Sequence, residues 1–130
     1  SHPARQRLRH ARCCYGHIAG GLGVRLWDTW LTAGVLRPVA DGLSLTPDGE
    51  AWFGHAGMAA PTPSRQRRYA YACLDWSERR DHLAGQLADA WLSHCLGRDW
   101  LRRSDGRALQ LTPAGERGLL PLLLPASASA

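Results

Sequence analysis

Two matching stretches, one in each half of the chain, constrain its fold more than any other feature. They read HIAG at His17–Gly20 and LTPDGE at Leu45–Glu50, then HLAG at His82–Gly85 and LTPAGE at Leu111–Glu116. The spacing from the histidine to the threonine is 29 residues in the first half and 30 in the second. Matches kept in register over such a distance indicate two copies of one supersecondary unit, joined by the proline-bearing stretch Gly57–Arg68.

The first element of each unit is predicted to be a helix. Apolar side chains recur at steps of three and four residues from Leu8 to Trp30, which is the spacing of one helix face. The glycine cluster Gly20–Gly23 weakens that helix and is a point where it can bend or break, and Gly34 is typical of a helix end. The corresponding helix of the second unit is predicted over Asp81–Leu96.

A hairpin and a second helix follow in each unit. The predicted strands are Val35–Val39 and Leu43–Leu45 in the first unit, and Trp100–Arg103 and Ala108–Leu111 in the second. Thr46 is predicted to cap the next helix with Pro47 at its first position, and the matching helix starts at Pro113. Each unit is therefore predicted to be helix, hairpin, helix.

Neither half of this 130-residue chain is large enough to bury its apolar face alone. The two units are therefore expected to pack together, about a pseudo-two-fold axis. The six tryptophans fit such a shared core, and we place Trp27, Trp30, Trp91 and Trp100 there. A dimer seam stays open as an alternative, because tryptophan is enriched at interfaces too.

The chain is basic through arginine alone. All 16 basic residues are arginine and the formal net charge is +5. The lack of lysine and asparagine indicates a GC-rich coding sequence, so codon usage explains part of the excess, although a basic surface attracts polyanions in any case. Two basic runs, one from Arg5 through His10 to Arg12 and one from Arg65 to Arg68, are expected to be solvated. The residues in these runs that are candidates for contacting DNA phosphates are Arg5, Arg7, Arg9, Arg65, Arg67 and Arg68.

The remaining composition favours a cytoplasmic protein with no membrane partner. No apolar run approaches the ~18 to 20 residues that a membrane-spanning helix needs, and the basic N-terminus has no apolar stretch typical of a signal peptide. The four cysteines contain no CxxC pair and no regular spacing, which indicates free thiols in a reducing compartment.

Two longer segments resemble a known family. Residues 11–23, ARCCYGHIAGGLG, resemble the segment ARTCYDHLAGRLG of a subgroup of ArsR-family winged helix-turn-helix transcriptional regulators. Residues 73–85, CLDWSERRDHLAG, resemble that subgroup's CLDWSERRPHLAG. The resemblance covers about Leu8 to Leu122. Three positions depart from the residues typical of that subgroup: Cys13 stands in place of Thr, Gly16 in place of Asp, and Ala88 in place of Gly.

This resemblance implies both a fold and a role. The expected fold class is α+β and helix-rich, with two winged-helix-like helix–hairpin–helix repeats, residues 1–60 and 61–130, packed together as one compact unit. The family implies a DNA-binding transcriptional regulator, of which this chain is the C-terminal dimerisation and effector-response region, without enzymatic activity. Expected partners are a second copy, an unknown small effector, and double-stranded DNA reached through an upstream domain. The alternatives are a metal- or thiol-responsive sensor domain and a small-molecule-binding enzyme relic.

The chain itself is not expected to hold a DNA-reading helix. The residues from Ile18 to Val24 look like the first part of a helix-turn-helix, but only ten residues lie between Gly23 and Gly34. A turn and a separate recognition helix of ~8 residues do not fit comfortably in that span.

Two cysteines and two histidines form a candidate metal site. Cys14 and His17 stand at i and i+3, which places them on one face of the predicted helix, whereas Cys73 and His82 are nine residues apart. Together they match a tetrahedral Cys2His2 set for Zn or a similar metal. However, neither spacing is diagnostic, and the cysteines do not align when the repeats are anchored on their histidines. We therefore expect no cofactor, with Cys14 and His82 largely buried between the repeats and no metal between them.

The polar segment Asp75–His82 is the other candidate site. Ser77 is predicted to cap a helix, with Arg80 at the third position. The functional alternative is an effector pocket with the tryptophan as a wall and an arginine as counter-charge. Its residues are Trp76, Arg79, Arg80 and His82. A catalytic Ser77–His82–Asp arrangement is disfavoured, because no GxSxG pattern surrounds the serine.

Overall fold

The computed structural model describes residues 10–124, which form a mixed α/β structure with four α-helices and four antiparallel strand pairs in that part of the chain. The elements are β1 Arg12–Cys14, β2 His17–Ala19, α1 Gly20–Thr32, β3 Leu36–Val39, β4 Gly42–Leu45, α2 Pro47–His55, β5 Tyr71–Leu74, β6 Asp81–Ala84, α3 Gln86–Gly97, β7 Leu101–Arg103, β8 Leu109–Leu111 and α4 Pro113–Gly118, followed by a 3-10 turn at Leu120–Leu122. The order hairpin, helix, hairpin, helix thus occurs twice. The predicted boundary at residue 60 falls in the connector between α2 and β5 and stays a prediction.

Each half begins with a hairpin that the sequence pattern did not reveal. The prediction of helix over residues 12–19 and over Asp81–Ala84 is wrong, because the β1–β2 hairpin occupies the first range and β6 occupies the second. In the first hairpin Tyr15 adopts a φ of 59° and turns the chain back, so that Cys13 and Ile18 face each other across the strands, both buried. Apolar positions on two paired strands therefore imitate the spacing of one helix face.

The second hairpin and second helix of each half agree with the sequence analysis. Strands β3 and β4 pair from Leu36 opposite Leu45, and β7 pairs with β8 from Leu101 opposite Leu111. The predicted caps are confirmed in both halves. The Thr46 hydroxyl accepts from the Gly49 N–H at 2.9 Å, and the Thr112 hydroxyl accepts from the Gly115 N–H at 2.9 Å. Pro47 and Pro113 each follow directly at the helix start.

Five of the six tryptophans lie in or against one shared core, as predicted, whereas Trp76 is exposed. Trp30 of α1 and Trp91 of α3 are buried and pack edge to face, with ring centroids 5.9 Å apart. Phe53 contacts both of them, while Trp27 and Trp100 are partly buried against the same cluster. Burial of these large rings joins the halves into one structure.

The two halves make reciprocal contacts. Helix α1 of the first half packs against β6 of the second, α3 of the second packs against β2 of the first, and β2 packs against β6. This exchange brings the two opening hairpins into contact with each other. It is here that the functional candidates meet.

Helix α1 bears on the question of DNA reading. It runs without interruption from Gly20 to Thr32, so the span considered for a helix-turn-helix contains no turn between two helices. The glycine cluster starts the helix rather than breaking it, with Gly20 at a φ of 81° where the strand turns into the helix. Gly34, at a φ of 71°, lies just beyond its end as predicted.

Within residues 10–124, none of the helices combines the length and the apolar character needed to cross a bilayer.

Candidate metal centre

The opening hairpins each hold a cysteine directly opposite a histidine. Cys14 pairs with His17 in the β1–β2 register, and Cys73 pairs with His82 in the β5–β6 register. Because residues that face each other across a strand pair project to the same side, each hairpin presents a Cys–His pair. The two pairs therefore occupy equivalent places in the two halves.

The four side chains converge where the hairpins meet. The potential ligand atoms of Cys14, His17, Cys73 and His82 all lie within 4.8 Å of one another. The Nε2 atoms of the two histidines are 3.0 Å apart, in rings tilted by 43°. The four residues proposed from sequence thus come together in one cluster of two thiols and two imidazoles.

The reason for that convergence differs from the one the sequence suggested. Cys14 and His17 do not share a helix face, because both lie in the hairpin. The turn between β1 and β2 has two residues, and the loop between β5 and β6 has six, from Asp75 to Arg80. This difference in loop length explains why the cysteines fail to align when the histidines are superimposed. Cys-x2-His and Cys-x8-His are both hairpin spacings, and that signal was missed.

Asp75 is the buried hydrogen-bond acceptor beneath the cluster. Its carboxylate accepts the backbone N–H of Gly20 at 2.6 Å, and it also accepts from Ser77, Glu78 and the Arg12 guanidinium. Burial by itself raises the pKa of Asp75, but the hydrogen bonds from these groups outweigh it and hold that pKa well below its usual range. The carboxylate is therefore ionised and fixed in place.

Arg12 is buried, which corrects the expectation of a solvated face. Its guanidinium lies 3.2 Å from Asp75 and 3.0 Å from the Ser77 hydroxyl, and it stacks 4.2 Å from the centre of the Trp76 ring. Arg12 belongs to the first hairpin and the other three residues to the loop of the second. This buried ion pair therefore ties the two halves together beside the cluster.

Asp75 also sets the tautomer of His82. The Nδ1 atom of His82 lies 2.8 Å from the Asp75 carboxylate, so Nδ1–H donates and the Nε2 lone pair points into the cluster. Burial lowers the pKa of His82 and outweighs the opposing effect of the Asp75 hydrogen bond. A neutral imidazole that offers Nε2 has the form required of a metal ligand.

His17 is held less tightly. Burial, and then the neighbouring His82, lower its pKa to about 4, while Asp89 acts in the opposite direction. The Nδ1 atom of His17 is 4.0 Å from the Asp89 carboxylate, too far for a hydrogen bond. Gly16 occupies a position where the ArsR subgroup that the sequence resembles typically has Asp. A Cβ atom added at Gly16 would lie 3.0 Å from the Asp89 carboxylate, so Asp89 fills the space that a side chain there would use.

The thiols form the outer side of the cluster. Cys14 and Cys73 are half-buried, whereas His17 and His82 are buried. Burial and then the Cys14 thiol raise the pKa of Cys73 to about 11. The expectation of a largely buried residue therefore holds for His82 and only in part for Cys14.

The other two cysteines do not join the cluster. Cys13 is buried on the opposite side of β1, where the Arg103 guanidinium contacts its Sγ at 3.3 Å. Cys95 is buried in α3. Both serve as natural comparisons for the clustered thiols.

The four residues of the predicted effector pocket differ in burial, and the pocket itself stays a prediction. Trp76, Arg79 and Arg80 are exposed, and Arg80 pairs with Asp28 of α1, while His82 is buried behind them. The predicted helix cap at Ser77 is wrong, because Asp75–Arg80 is a hairpin loop and α3 starts only at Gln86. Arg79 and Arg80 are themselves exposed residues of this loop.

A separate surface cavity lies away from this cluster. It has a volume of about 520 Å³ and is lined by residues of β3, β4, the connector and the first turn of α2, among them Leu43, Glu50, Pro61 and Tyr69. Sequence reasoning did not single out this cavity.

The candidate phosphate-binding arginines divide into two groups. Arg5, Arg7 and Arg9 lie outside the described residues. The other three, Arg65, Arg67 and Arg68, are exposed in the connector between α2 and β5. Arg67 pairs with Asp89, whereas Arg68 pairs with Asp41 and stacks on Tyr71. Their role in DNA binding stays a prediction.

Comparison with known proteins finds a transcriptional regulator of similar sequence. The chain is 36% identical over 111 residues to an uncharacterized HTH-type transcriptional regulator, YdfF, of Bacillus subtilis (strain 168). The matched region is 84% of this chain and 49% of YdfF, so the chain spans about half the length of the curated relative it matches. No family model matches the chain. No solved structure matches it either.

Proposed function

We propose that this chain is the C-terminal dimerisation and effector-response region of a DNA-binding transcriptional regulator of the ArsR type. The observation that carries the proposal is the 36% identity to an HTH-type transcriptional regulator over 84% of the chain. The resemblance of residues 11–23 and 73–85 to segments of ArsR-family regulators supports it from a second direction. Residues 11–23 contain β1 and β2, and residues 73–85 contain the end of β5 and all of β6, so the two segments hold all four residues of the cluster.

In this proposal a part of the full-length regulator outside the chain reads the operator. Helix α1 is uninterrupted, and the tryptophans of the chain lie in or against the core rather than on a groove-facing helix, apart from Trp76 in the second hairpin loop. The exposed arginines of the connector are suited to phosphate contacts, which position a protein on DNA without reading its sequence.

The geometry favours a regulatory role over a catalytic one. The Ser77 hydroxyl donates to Asp75, and the Nε2 atom of His82 faces His17, so the serine and His82 do not form a nucleophile–base pair. The cluster instead joins the hairpins of both halves. A ligand bound there acts on both halves at once, which is what a response region requires.

The test compares the full-length protein of the gene that contains this chain with the chain alone. Fluorescence anisotropy at ~150 mM salt, with promoter fragments and scrambled controls, measures binding. We expect the full-length protein to prefer one fragment by roughly 10³-fold or more, and the chain alone to bind weakly without sequence preference. A sharp preference shown by the chain alone would refute the division of roles, and absence of any preference in the full-length protein would refute the regulator.

The Cys2His2 cluster favours a second candidate within the same class, a metal- or thiol-responsive sensor domain. The observation behind it is the approach of four ligand atoms to within 4.8 Å of one another. Its chemistry is independent of DNA binding.

A further inference from the structure

We propose that Cys14, His17, Cys73 and His82 bind one Zn²⁺ ion in a tetrahedral site that links the opening hairpins of the two halves. This site goes beyond the proposed regulator function, since it would exist whether or not the protein binds DNA. It rests on the geometry of the two Cys–His pairs.

The spacing of the ligand atoms fits a tetrahedral ion closely. Metal–ligand distances of about 2.0–2.3 Å for imidazole and thiolate ligands place tetrahedral ligand atoms roughly 3.3–3.8 Å apart. Here all four atoms lie within 4.8 Å of one another, and the two Nε2 atoms are 3.0 Å apart. Ligation therefore requires a shift of a few tenths of an ångström between the nitrogens, and no pair of ligand atoms has to approach by more than about 1.5 Å.

The choice of ligands selects the metal. Two sulfurs and two imidazole nitrogens in tetrahedral array are typical of zinc, whereas magnesium and calcium prefer oxygen ligands. The two thiols release their protons to solvent as they bind the metal, and the resulting thiolates balance the charge of a divalent ion. The adjacent Arg12–Asp75 pair balances its own charge, so the site as a whole stays neutral in its buried surroundings.

The surroundings of the histidines complete the site. Asp75 holds Nδ1–H of His82, which is the carboxylate–histidine–metal arrangement that orients a ligand and makes it more basic. Asp89 stands on the Nδ1 side of His17 at 4.0 Å and is placed to do the same. Both carboxylates come from the second half, and His17 comes from the first.

Zinc would also change the tautomer of His17. Because Nδ1 of His82 donates to Asp75, its Nε2 carries a lone pair, and the 3.0 Å contact requires His17 to donate through Nε2–H. Ligation through Nε2 moves that proton to Nδ1, where Asp89 is the nearby acceptor. Metal binding thus tightens the less fixed of the two histidines.

The site is reachable from solvent on one side. The half-buried thiols form its outer wall and the buried histidines its floor. An ion can therefore enter past Cys14 and Cys73 without opening the core. Once bound, it connects strands of both halves by four coordinate bonds.

Elemental analysis of the purified chain, after exposure to Zn²⁺ and gel filtration, measures the stoichiometry. We expect one equivalent of zinc in the wild type and in Cys13→Ala, and far less in Cys14→Ser and in Cys73→Ser. Cys13→Ala is the matched control, because it removes the neighbouring thiol on the opposite side of the same strand. His55→Ala controls for adventitious binding by an exposed histidine.

Cobalt substitution makes the test independent of how well the variants fold. Co²⁺ bound to the wild-type chain should give the intense visible bands of tetrahedral cobalt and a near-ultraviolet thiolate band, both removed by one equivalent of zinc. Weak octahedral bands, zinc well below one equivalent in the wild type, or zinc retained in a Cys14→Ser/Cys73→Ser double variant would each overturn the proposal. These measurements involve no DNA, so their failure leaves the regulator proposal standing, and failure of the DNA-binding test leaves the zinc site standing.

Discussion

The first and second opening hairpins hold the same Cys–His pair in different surroundings. The first closes with the two-residue turn Tyr15-Gly16, which contributes no acceptor to its histidine. The second closes with a six-residue loop whose first residue, Asp75, fixes His82 and reaches Arg12 and Gly20 of the first half. His17 has a carboxylate only at 4.0 Å, from Asp89 of α3.

This difference shows that equivalent strands need not contribute equally to a shared centre. The second half supplies both carboxylates, and Asp75 holds Arg12 and Gly20 of the first half as well as His82 of its own half. The comparison predicts unequal effects when Asp75 and Asp89 are altered in the same way.

The largest expected effect is on stability, from Asp75→Ala. Removal of this buried carboxylate leaves the Arg12 guanidinium buried without its counter-charge, and we expect a loss of about 3–5 kcal/mol in the free energy of unfolding. Asp89→Ala should cost at most about 1 kcal/mol, because Asp89 is partly exposed and its partner Arg67 lies at the surface. Urea unfolding followed by tryptophan fluorescence, with chelator present, measures both. Equal losses in the two variants would show that Asp75 does not stabilise the structure more than Asp89 does.

The parts of the fold that could be predicted are those with a local chemical signature. Thr46-Pro47 and Thr112-Pro113 specify a helix start through a hydroxyl acceptor and a fixed proline φ, and both caps are observed. The turn glycines at Gly42 and Gly106 likewise mark the second hairpin of each half. These features act over a few residues and do not depend on tertiary packing.

The opening hairpins could not be predicted in the same way. In strands of three residues, such as β1 and β2, a period of two cannot be told from the steps of a helix, and the tight turn uses a tyrosine where glycine is the usual signal. The sequence identified the four candidate metal ligands as residues, yet their convergence depends on strand register and on loops of different length. Arg12 was misplaced because its burial depends on Asp75, which lies 63 residues away.

The second effect concerns zinc affinity and sharpens the comparison of the two carboxylates. Asp75→Asn keeps the shape of the side chain but removes the charge that orients His82, and we expect the zinc dissociation constant to rise roughly 10- to 100-fold. Asp89→Asn should raise it less than about 10-fold, because Asp89 is not yet hydrogen-bonded to His17. Competition with a chromophoric chelator at fixed pH gives both constants. A larger effect from Asp89→Asn would reverse the roles assigned to the two histidines.

The smallest expected effect lies in the short turn that distinguishes the first hairpin. Tyr15 has a φ of 59° and is 97% exposed, so its backbone is strained while its ring makes little contact. Only the first of the two turn residues needs a positive φ, which is the place where glycine is preferred in a type II′ turn. Glycine would relieve about 1–2 kcal/mol of backbone strain in the folded chain, but it would also add about 0.4–1 kcal/mol of conformational freedom to the unfolded chain. We therefore expect Tyr15→Gly to raise the free energy of unfolding by up to about 1 kcal/mol.

Tyr15→Ala separates backbone strain from loss of the ring, because alanine keeps the strained φ and removes the aromatic group. We expect it to leave the free energy of unfolding within about 0.5 kcal/mol of the wild type. Arg79→Gly provides the counterpart in the six-residue loop, where Arg79 has a φ of 54° and donates its N–H to the Asp75 carbonyl at 2.9 Å. Because that loop is anchored by the Asp75 network, we expect a gain no larger than that of Tyr15→Gly. If both Tyr15 variants destabilise equally, the exposed ring contributes to the first hairpin and strain does not govern its turn.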